Sequence, residues 1–141
     1  MPKAVGHWLV KSEPDAFSWD QQVANRVEPW TGVRNHMAKN NLKAMKRGDL
    51  AFFYHSNVGK EIVGVVRVAR EAYPDPTAET GDWVCVDMAA VGPMPQPVTL
   101  EAIKATPALA DFALVRMSRL SVMPVSAAQW KLLCRMGGWT G

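Results

Sequence analysis

The chain has 141 residues, 48% of them hydrophobic and 21% charged, which is typical of a globular protein with one core. No stretch approaches the roughly 18 consecutive apolar residues that a membrane-spanning helix needs, and residues 1–4 lack the apolar core of a secretory signal. We therefore expect one soluble, intracellular domain over residues 1–141, cytoplasmic or, in a eukaryote, nuclear. A net charge of +3 permits a polyanionic partner without requiring one.

The first predicted elements are a strand and a helix. A short apolar run at residues 7–10 predicts a strand, which ends where Pro14 places the chain in a loop. Ser18 followed by Gln21 matches the capping box of a helix N-terminus, so we expect a helix from Trp19 to about Asn25.

A second helix is predicted from about Asn35 to Met45, with Gly48 just beyond its end. Apolar residues recur on one face at helical spacing, so we expect that face to pack inward. The opposite face carries basic residues without an acidic neighbour, which predicts an exposed positive stripe. The inward set is Met37, Ala38, Leu42 and Met45, and the outward set is His36, Lys39, Lys43, Lys46 and Arg47.

The middle of the chain predicts a β-hairpin. An apolar, aromatic-rich run at residues 50–54 and a β-branched run at residues 62–68 flank a turn at residues 56–59. Gly64 interrupts the second run, which indicates a bulge or the close approach of another segment.

Further strands and helices complete the pattern. The proline-rich segments 73–76 and 93–97 are expected to be surface loops on either side of a strand at residues 83–88. A helix capped by Thr99, a short strand at residues 120–123 and a capping-box helix opened by Ser126 follow. Five or more strands that do not alternate regularly with helices indicate an α+β fold, with a mixed sheet or partly closed barrel and short peripheral helices.

Local motifs give little support for catalysis. His55 and Ser56 are adjacent, and neighbouring side chains of an extended chain point to opposite faces, so the two do not form a base–nucleophile pair. The histidines show no metal-ligand spacing, and we expect Cys85 and Cys134 to be buried reduced thiols. The sequence therefore predicts a protein without catalytic residues, cofactor or metal.

The strongest functional signal is the loop around Trp30. A tryptophan that follows Pro29 in a loop can be a core residue, but its aromatic face can also stack on a nucleic-acid base. Nearby Arg34 and Asn35 can hydrogen-bond base edges or phosphate, which favours the second interpretation. The basic stripe that follows would add phosphate contacts, although a lysine-rich helix face is also typical of a merely solvated surface.

Two polar strand ends could complete a pocket with Trp30. Lys11 and Ser12 end the first strand, and Tyr54, His55 and Ser56 end the first strand of the hairpin. Taken separately, each is also what an ordinary strand end or hairpin turn contains. Together they predict a polar pocket beside the tryptophan loop.

The ordered motifs resemble those of the EVE domain family, which belongs to the PUA-like superfamily. The matching stretches span nearly the whole chain and are residues 8–14, 30–35, 48–49, 53–57, 63–65, 73–76, 119–122 and 124–125, ahead of Trp130. The resemblance implies a PUA-like core of mixed β-sheet or pseudo-barrel form. It also implies a domain that reads a modified base, such as a methylated cytosine, flipped out of DNA or RNA into an aromatic-lined pocket.

The resemblance also assigns candidate residues and partners. The base pocket would contain Lys11, Ser12, Trp30, Arg34, Asn35, Tyr54, His55, Ser56 and Ser121. Phosphate contacts would come from Lys39, Lys43, Lys46, Arg47 and Arg119, although Arg119 and Ser121 could equally be structural. We expect DNA or RNA partners, no membrane or metal, and a monomer. A general RNA-binding or nucleoside-binding module and an enzyme acting on modified nucleobases are the alternatives.

Overall fold

The structure, a computed structural model, describes residues 6–140, so the expectation about residues 1–4 lies outside the described part. Within it, the strands are β1 (His7–Ser12), β2 (Val27–Pro29), β3 (Leu50–His55), β4 (Glu61–Pro74), β5 (Val84–Thr99) and β6 (Val122–Pro124). The helices are α1 (Trp19–Asn25), α2 (His36–Ala44), α3 (Leu100–Lys104), α4 (Ala113–Arg116) and α5 (Ala127–Gly137), with a 3-10 turn at Pro107–Leu109.

The strands form one mixed sheet in the order β2-β5-β4-β3-β1-β6. β1 runs parallel to β3, with Lys11 beside Tyr54 and Ser12 beside His55, and the other pairings are antiparallel. The short helices pack around this sheet, which confirms the predicted α+β class. Among the described residues no helix is both long and apolar enough to cross a membrane.

Helix caps follow the sequence signals closely. The Ser18 hydroxyl accepts a hydrogen bond from the Gln21 backbone N–H, and the Gln21 side chain accepts one from the Ser18 N–H. Ser126 and Gln129 make the same reciprocal pair at the start of α5. Both predicted capping boxes are therefore confirmed, because this signal depends only on residues three apart.

Gly64 lies where the indole of Trp19 crosses β4. A Cβ atom at position 64 would lie 2.5 Å from Trp19 Cη2 and Cζ2, closer than real Cβ contacts allow. The pairing of β4 with both neighbouring strands also shifts register here. The prediction of a bulge or close approach is thus confirmed, and the buried Trp19 ring is the approaching group.

Gly64→Ala should lower the free energy of unfolding by about 1–3 kcal/mol, because the added methyl group overpacks a buried aromatic contact. Chemical denaturation would measure it. Gly92→Ala is the matched control: its Cβ would lie 3.1 Å from the ring of the half-buried Trp139, a less severe contact than that at Gly64. Equal losses of unfolding free energy in the two variants would contradict the claim that the Trp19 contact requires a glycine at position 64.

Strand lengths differ from the sequence prediction. β4 continues through Pro74, so the loop predicted at residues 73–76 begins only at residue 75. β5 continues through residues 93–97, so the prediction of a loop there is wrong. β2 pairs with β5 only at residues 87–89, which leaves the proline-rich end of β5 without a strand on that side. Prolines are tolerated there because an unpaired edge needs no N–H donor.

Two predicted burial patterns also need correction. Ala38, Leu42 and Met45 of the second helix region are buried as expected, but Met37 is 48% exposed. Cys85 is buried, whereas Cys134 is only half-buried, so the prediction of a fully buried thiol is wrong for Cys134.

Candidate nucleic-acid interface

A cavity of about 260 Å³ lies between the end of β1 and the end of β2, and we call it the tryptophan cavity. Three strands separate β1 from β2 in the sheet order, so the sheet must curl to bring the two ends together. Its lining residues come from β1 and the loop after it (Lys11, Ser12, Glu13, Ala16, Phe17) and from β2 and the loop after it (Glu28, Pro29, Trp30, Thr31).

Trp30 forms a fixed wall of this cavity. Its ring meets Phe53 edge to face at 5.5 Å between centroids and Phe17 at 6.1 Å. Its backbone N–H donates to the Val86 carbonyl at 2.7 Å. With 8% of its surface exposed, Trp30 is a core residue and a cavity wall at once. Such packing holds the indole in one orientation before any ligand arrives.

Asp75 anchors the loop that carries Trp30. Its Oδ2 accepts from the Gly32 N–H at 2.8 Å and from Arg34 Nη1 at 3.0 Å. Its Oδ1 accepts from the N–H and the hydroxyl of Thr77, each at 2.7 Å. Gly32 has a φ of +84°, a conformation that favours glycine. One buried carboxylate therefore fixes the left-handed turn directly after Trp30.

The protonation of Asp75 reflects this role. Burial alone would raise the pKa of the carboxyl, but hydrogen bonds from Thr77, Gly32 and Arg34 outweigh it and lower the pKa to about 2. The sequence contained Asp75 within a recognised motif but gave no sign of its function. Its partners Gly32 and Arg34 lie more than 40 residues away, and local patterns do not reveal such contacts.

Lys11 and Ser12 shape the opposite side of the cavity. The half-buried Lys11 ammonium donates to the Ser118 carbonyl at 2.8 Å, and burial lowers the pKa of this group. The Lys11 N–H donates to the Ser121 carbonyl at 2.9 Å, so Ser121 supports the strand through its backbone. The Ser12 hydroxyl donates to the Phe17 carbonyl, which closes the loop and seats Phe17 beside Trp30.

Two glutamates line the cavity and were not among the predicted site residues. Glu13 Oε1 accepts a hydrogen bond from the Asn57 side-chain amide, and Glu28 Oε1 accepts one from that of Asn25 at 3.0 Å. Each carboxylate retains further acceptor capacity after its asparagine contact. The cavity thus combines an aromatic wall with acceptors from the glutamates and a cationic donor from Lys11.

Several predicted pocket residues lie outside the lining of the tryptophan cavity. Arg34 is occupied with Asp75 and Thr77, and the Asn35 side chain caps α2 by accepting from the Ala38 N–H at 2.9 Å. Tyr54 is buried beside Lys11, and burial raises its pKa to about 12. Asn35 lines a separate cavity, and His55 and Ser56 lie at the end of β3, outside the lining of the tryptophan cavity.

His55 has a specific structural contact. Its Nε2 accepts a hydrogen bond from the Trp19 backbone N–H at 3.0 Å, which requires the neutral ring. Ser56 in turn donates its N–H to the Ser12 carbonyl at 2.9 Å. His55 therefore connects the hairpin to the start of α1.

The protein should lose stability as pH falls below about 6.5, because protonation of His55 breaks this contact. Burial lowers the pKa of His55 in the folded state, with partial compensation from Glu61 and Asp20. The stabilisation is present above the unfolded-state value of about 6.5 and is lost as pH drops through the folded-state value. Thermal denaturation across this range should show a shallower slope for His55→Gln, which retains an acceptor and does not titrate. Parallel slopes would contradict the assignment.

The predicted basic stripe is only partly correct. Lys39 is 7% exposed, its Nζ pairs with Asp82 Oδ1 at 3.0 Å, and it lies over the Trp83 ring. The prediction that it lies on an exposed face is therefore wrong, because an acidic residue 43 positions away covers it. Lys43, Lys46 and Arg47 are exposed as expected.

His36 and Arg119 occupy different surroundings. His36 stacks on Trp83 at 5.0 Å between ring centroids, so it joins α2 to the segment before β5. Arg119 is exposed and lines a separate cavity between the start of α2 and the segment after α4.

The mixed sheet with its short helices is a PUA-like fold, which an ASCH protein from Zymomonas mobilis shares with a TM-score of 0.60 at 10% identity, over 93% of this chain and 95% of its own. The sequence model of the EVE domain family matches residues 6–136 of this chain. The chain therefore belongs to the EVE domain family, as its motifs predicted.

Similar proteins come from bacteria and animals. A protein of Rhodopseudomonas palustris, solved by NMR, is 61% identical with a TM-score of 0.91, over 97% of this chain and 96% of its own. A crystal structure of human THYN1 protein in complex with 5-methylcytosine-containing DNA has 29% identity and a TM-score of 0.88, covering 96% of this chain and 99% of the other.

Curated relatives are longer than this chain. Thymocyte nuclear protein 1 of Homo sapiens is 34% identical over 88% of this chain and 70% of its own length. The protein of the same name from Gallus gallus is 48% identical over 50% of this chain, and the match spans only 34% of the chicken protein.

Proposed function

We propose that this chain binds one modified base of the methylated-cytosine type, turned out of DNA, in the tryptophan cavity. The observation that carries the proposal is the Trp30 indole, held on the wall of a cavity suited in size to a single base. The human relative solved with 5-methylcytosine-containing DNA supports the choice of ligand. Extrusion of a base is easiest from single strands, mismatches and loops.

The charges of the cavity favour a base over a phosphate. Glu13 and Glu28 would repel a phosphate, but their carboxylates can accept hydrogen bonds from the exocyclic amine of cytosine. Lys11 can donate to a ring nitrogen or carbonyl oxygen of the same base. Thymine has no exocyclic amine, so it should bind more weakly than cytosine.

Selectivity for the methyl group should be modest. Burying one methyl group against Trp30 or Phe17 contributes about 0.8 kcal/mol, equivalent to about fourfold in affinity. Overall affinity would come from the exposed Lys43, Lys46 and Arg47, whose phosphate contacts make binding weaken with salt. Lys39 is not expected to contribute, because Asp82 neutralises it.

We propose binding without catalysis. The hydroxyl of Ser12, a nucleophile candidate at the cavity, donates to the Phe17 carbonyl. The nearest histidine along the neighbouring strand, His55, accepts from the Trp19 backbone. Neither group is arranged as an activated nucleophile with its base. Incubation with a labelled 5-methylcytosine oligonucleotide should return it unchanged.

The test compares oligonucleotides that differ only in one unpaired base: 5-methylcytosine, cytosine or thymine. The protein should prefer 5-methylcytosine over cytosine by about fourfold, and cytosine over thymine. Glu28→Gln and Glu13→Gln should weaken the second preference, because a glutamine amide both donates and accepts. Glu101→Gln, an exposed acidic residue on α3, is the matched control and should behave as wild type.

Three results would overturn the proposal in different ways. Equal affinity for all three bases, with strong salt dependence, would indicate general nucleic-acid binding. Tighter binding of the corresponding RNA would shift the ligand to RNA. Tight binding of the free nucleoside, with no gain from the flanking chain, would indicate a small-molecule pocket.

A further inference from the structure

A second cavity, of about 370 Å³, lies between the start of α2 and the segment after α4. Met37 and Met117 line it and are 48% and 40% exposed, which is unusual for large apolar side chains. Neither has a place in the core, so both are available to a ligand. Methionine packs adaptably against flat or irregular surfaces, aromatic rings among them.

The charge of this second cavity is opposite to that of the tryptophan cavity. Arg116 and Arg119 line it, and no lining residue is acidic. Arg116 pairs with Asp111 at 3.2 Å, but the two side chains are 65% and 89% exposed, so the pair is weak and easily exchanged. Among the described residues, the Arg119 guanidinium has no ion-pair partner within 4.0 Å. The surface is therefore suited to an anionic ligand with an apolar face.

A hydrogen bond connects the linings of the two cavities. Lys11 lines the tryptophan cavity, Ser118 lines the second cavity, and the Lys11 ammonium donates to the Ser118 carbonyl at 2.8 Å. A ligand in one cavity thus lies next to a ligand in the other. Adjacent nucleotides of one strand have this relation: a flat base, a linking phosphate and a second flat base.

We infer that the second cavity holds the nucleotide next to the modified one. Met37 and Met117 would pack against its base, and Arg116 and Arg119 would bind the adjoining phosphate. Because methionine contacts are tolerant of shape, the flanking base should add affinity with little sequence preference. This inference rests on the proposed function and extends it from one base to a dinucleotide.

The test uses short single-stranded DNA with one 5-methylcytosine, flanked by normal nucleotides or by an abasic site on the 5′ or the 3′ side. Removal of the base on one side, and only one, should weaken binding by about fivefold or more. Met117→Ala should weaken binding to the intact strand by a similar factor. In this variant, an abasic site on that side should cause no further loss of affinity. Val58→Ala, at another exposed apolar residue on the β3–β4 turn, is the control and should change nothing.

The outcomes separate the inference from the proposed function. If the preference for 5-methylcytosine over cytosine persists but abasic flanks and Met117→Ala have no effect, the second cavity is not a nucleotide site and the inference is overturned. If 5-methylcytosine and cytosine bind equally, the proposed function fails and the dinucleotide model fails with it. If Arg119→Gln leaves the affinity and its salt dependence unchanged, Arg119 does not bind the phosphate, and that part of the inference is overturned.

Discussion

Trp30→Ala should reduce affinity for 5-methylcytosine DNA by about 5- to 150-fold, because a base stacked on an aromatic side chain contributes about 1–3 kcal/mol. The same change should lower the free energy of unfolding by about 3–5 kcal/mol, since Trp30 is nearly buried and meets Phe53 and Phe17 edge to face. Binding must therefore be measured by fluorescence anisotropy at a temperature where the variant is folded.

Trp30→Phe separates the effect on base binding from the effect on stability. Phenylalanine retains most of the packing but offers a smaller stacking face, so affinity should fall between those of wild type and Trp30→Ala. Trp139→Ala removes another half-buried tryptophan, away from both cavities, and serves as the matched control. A folded Trp30→Ala protein that binds as tightly as wild type would rule out the tryptophan cavity as the binding site.

Asp75→Asn should lower the free energy of unfolding by about 2–4 kcal/mol, because an asparagine amide nitrogen cannot accept the bonds that the buried carboxylate receives. Gly32, Arg34 and Thr77 all donate to Asp75, so at least one of these donors would lose its acceptor. The loop after Trp30 should loosen, and base binding should weaken as a consequence. Urea denaturation and oligonucleotide titration measure the two effects.

The pH dependence of the same variant gives a second readout. The folded-state pKa of Asp75, about 2, is below the ordinary value of 3.8, so its stabilisation is present above about pH 4 and is lost as pH falls towards 2. Asp75→Asn should lose less stability than wild type over this range. Asp82→Asn, an exposed carboxylate paired with Lys39, should cost much less stability than Asp75→Asn and is the control. Equal costs at the two positions would contradict the anchoring role of Asp75.

Local signals in the sequence predicted local structure well. The capping boxes at Ser18 and Ser126, the hairpin turn before Lys60 and the close approach at Gly64 all depend on residue types at short spacing. The proline-rich end of β5 was not predicted as a strand, because prolines are tolerated in a strand only where one edge has no neighbouring strand. Which edge is unpaired is decided by the whole sheet and cannot be inferred from the segment alone.

The candidate site was predictable only in part. Trp30, Lys11 and Ser12 were expected together, and the tryptophan cavity brings them together. Glu13, Glu28 and Phe17 were not expected, because the cavity forms only when the sheet curls and the ends of β1 and β2 meet.

Helical spacing alone could not show which basic side chains are exposed and which are paired with a carboxylate. Lys39 fits the outward face of α2 by periodicity, yet Asp82 and Trp83 arrive from a distant segment and cover it. The Arg34 guanidinium could donate hydrogen bonds to a base or a phosphate, yet in the structure it binds Asp75. Long-range ion pairs of this kind leave no pattern in a single sequence.

The location of the bound base is tested most directly by NMR of protein labelled with ¹⁵N, titrated with a short single-stranded DNA that carries one 5-methylcytosine. We expect the Trp30 indole N–H and the Thr31 amide to shift first and most, and the Trp139 indole not to shift. Cytosine should give the same pattern at higher concentration. Shifts confined to Lys43, Lys46 and Arg47, with none at Trp30, would place binding on the basic surface and rule out the tryptophan cavity as the site of the base.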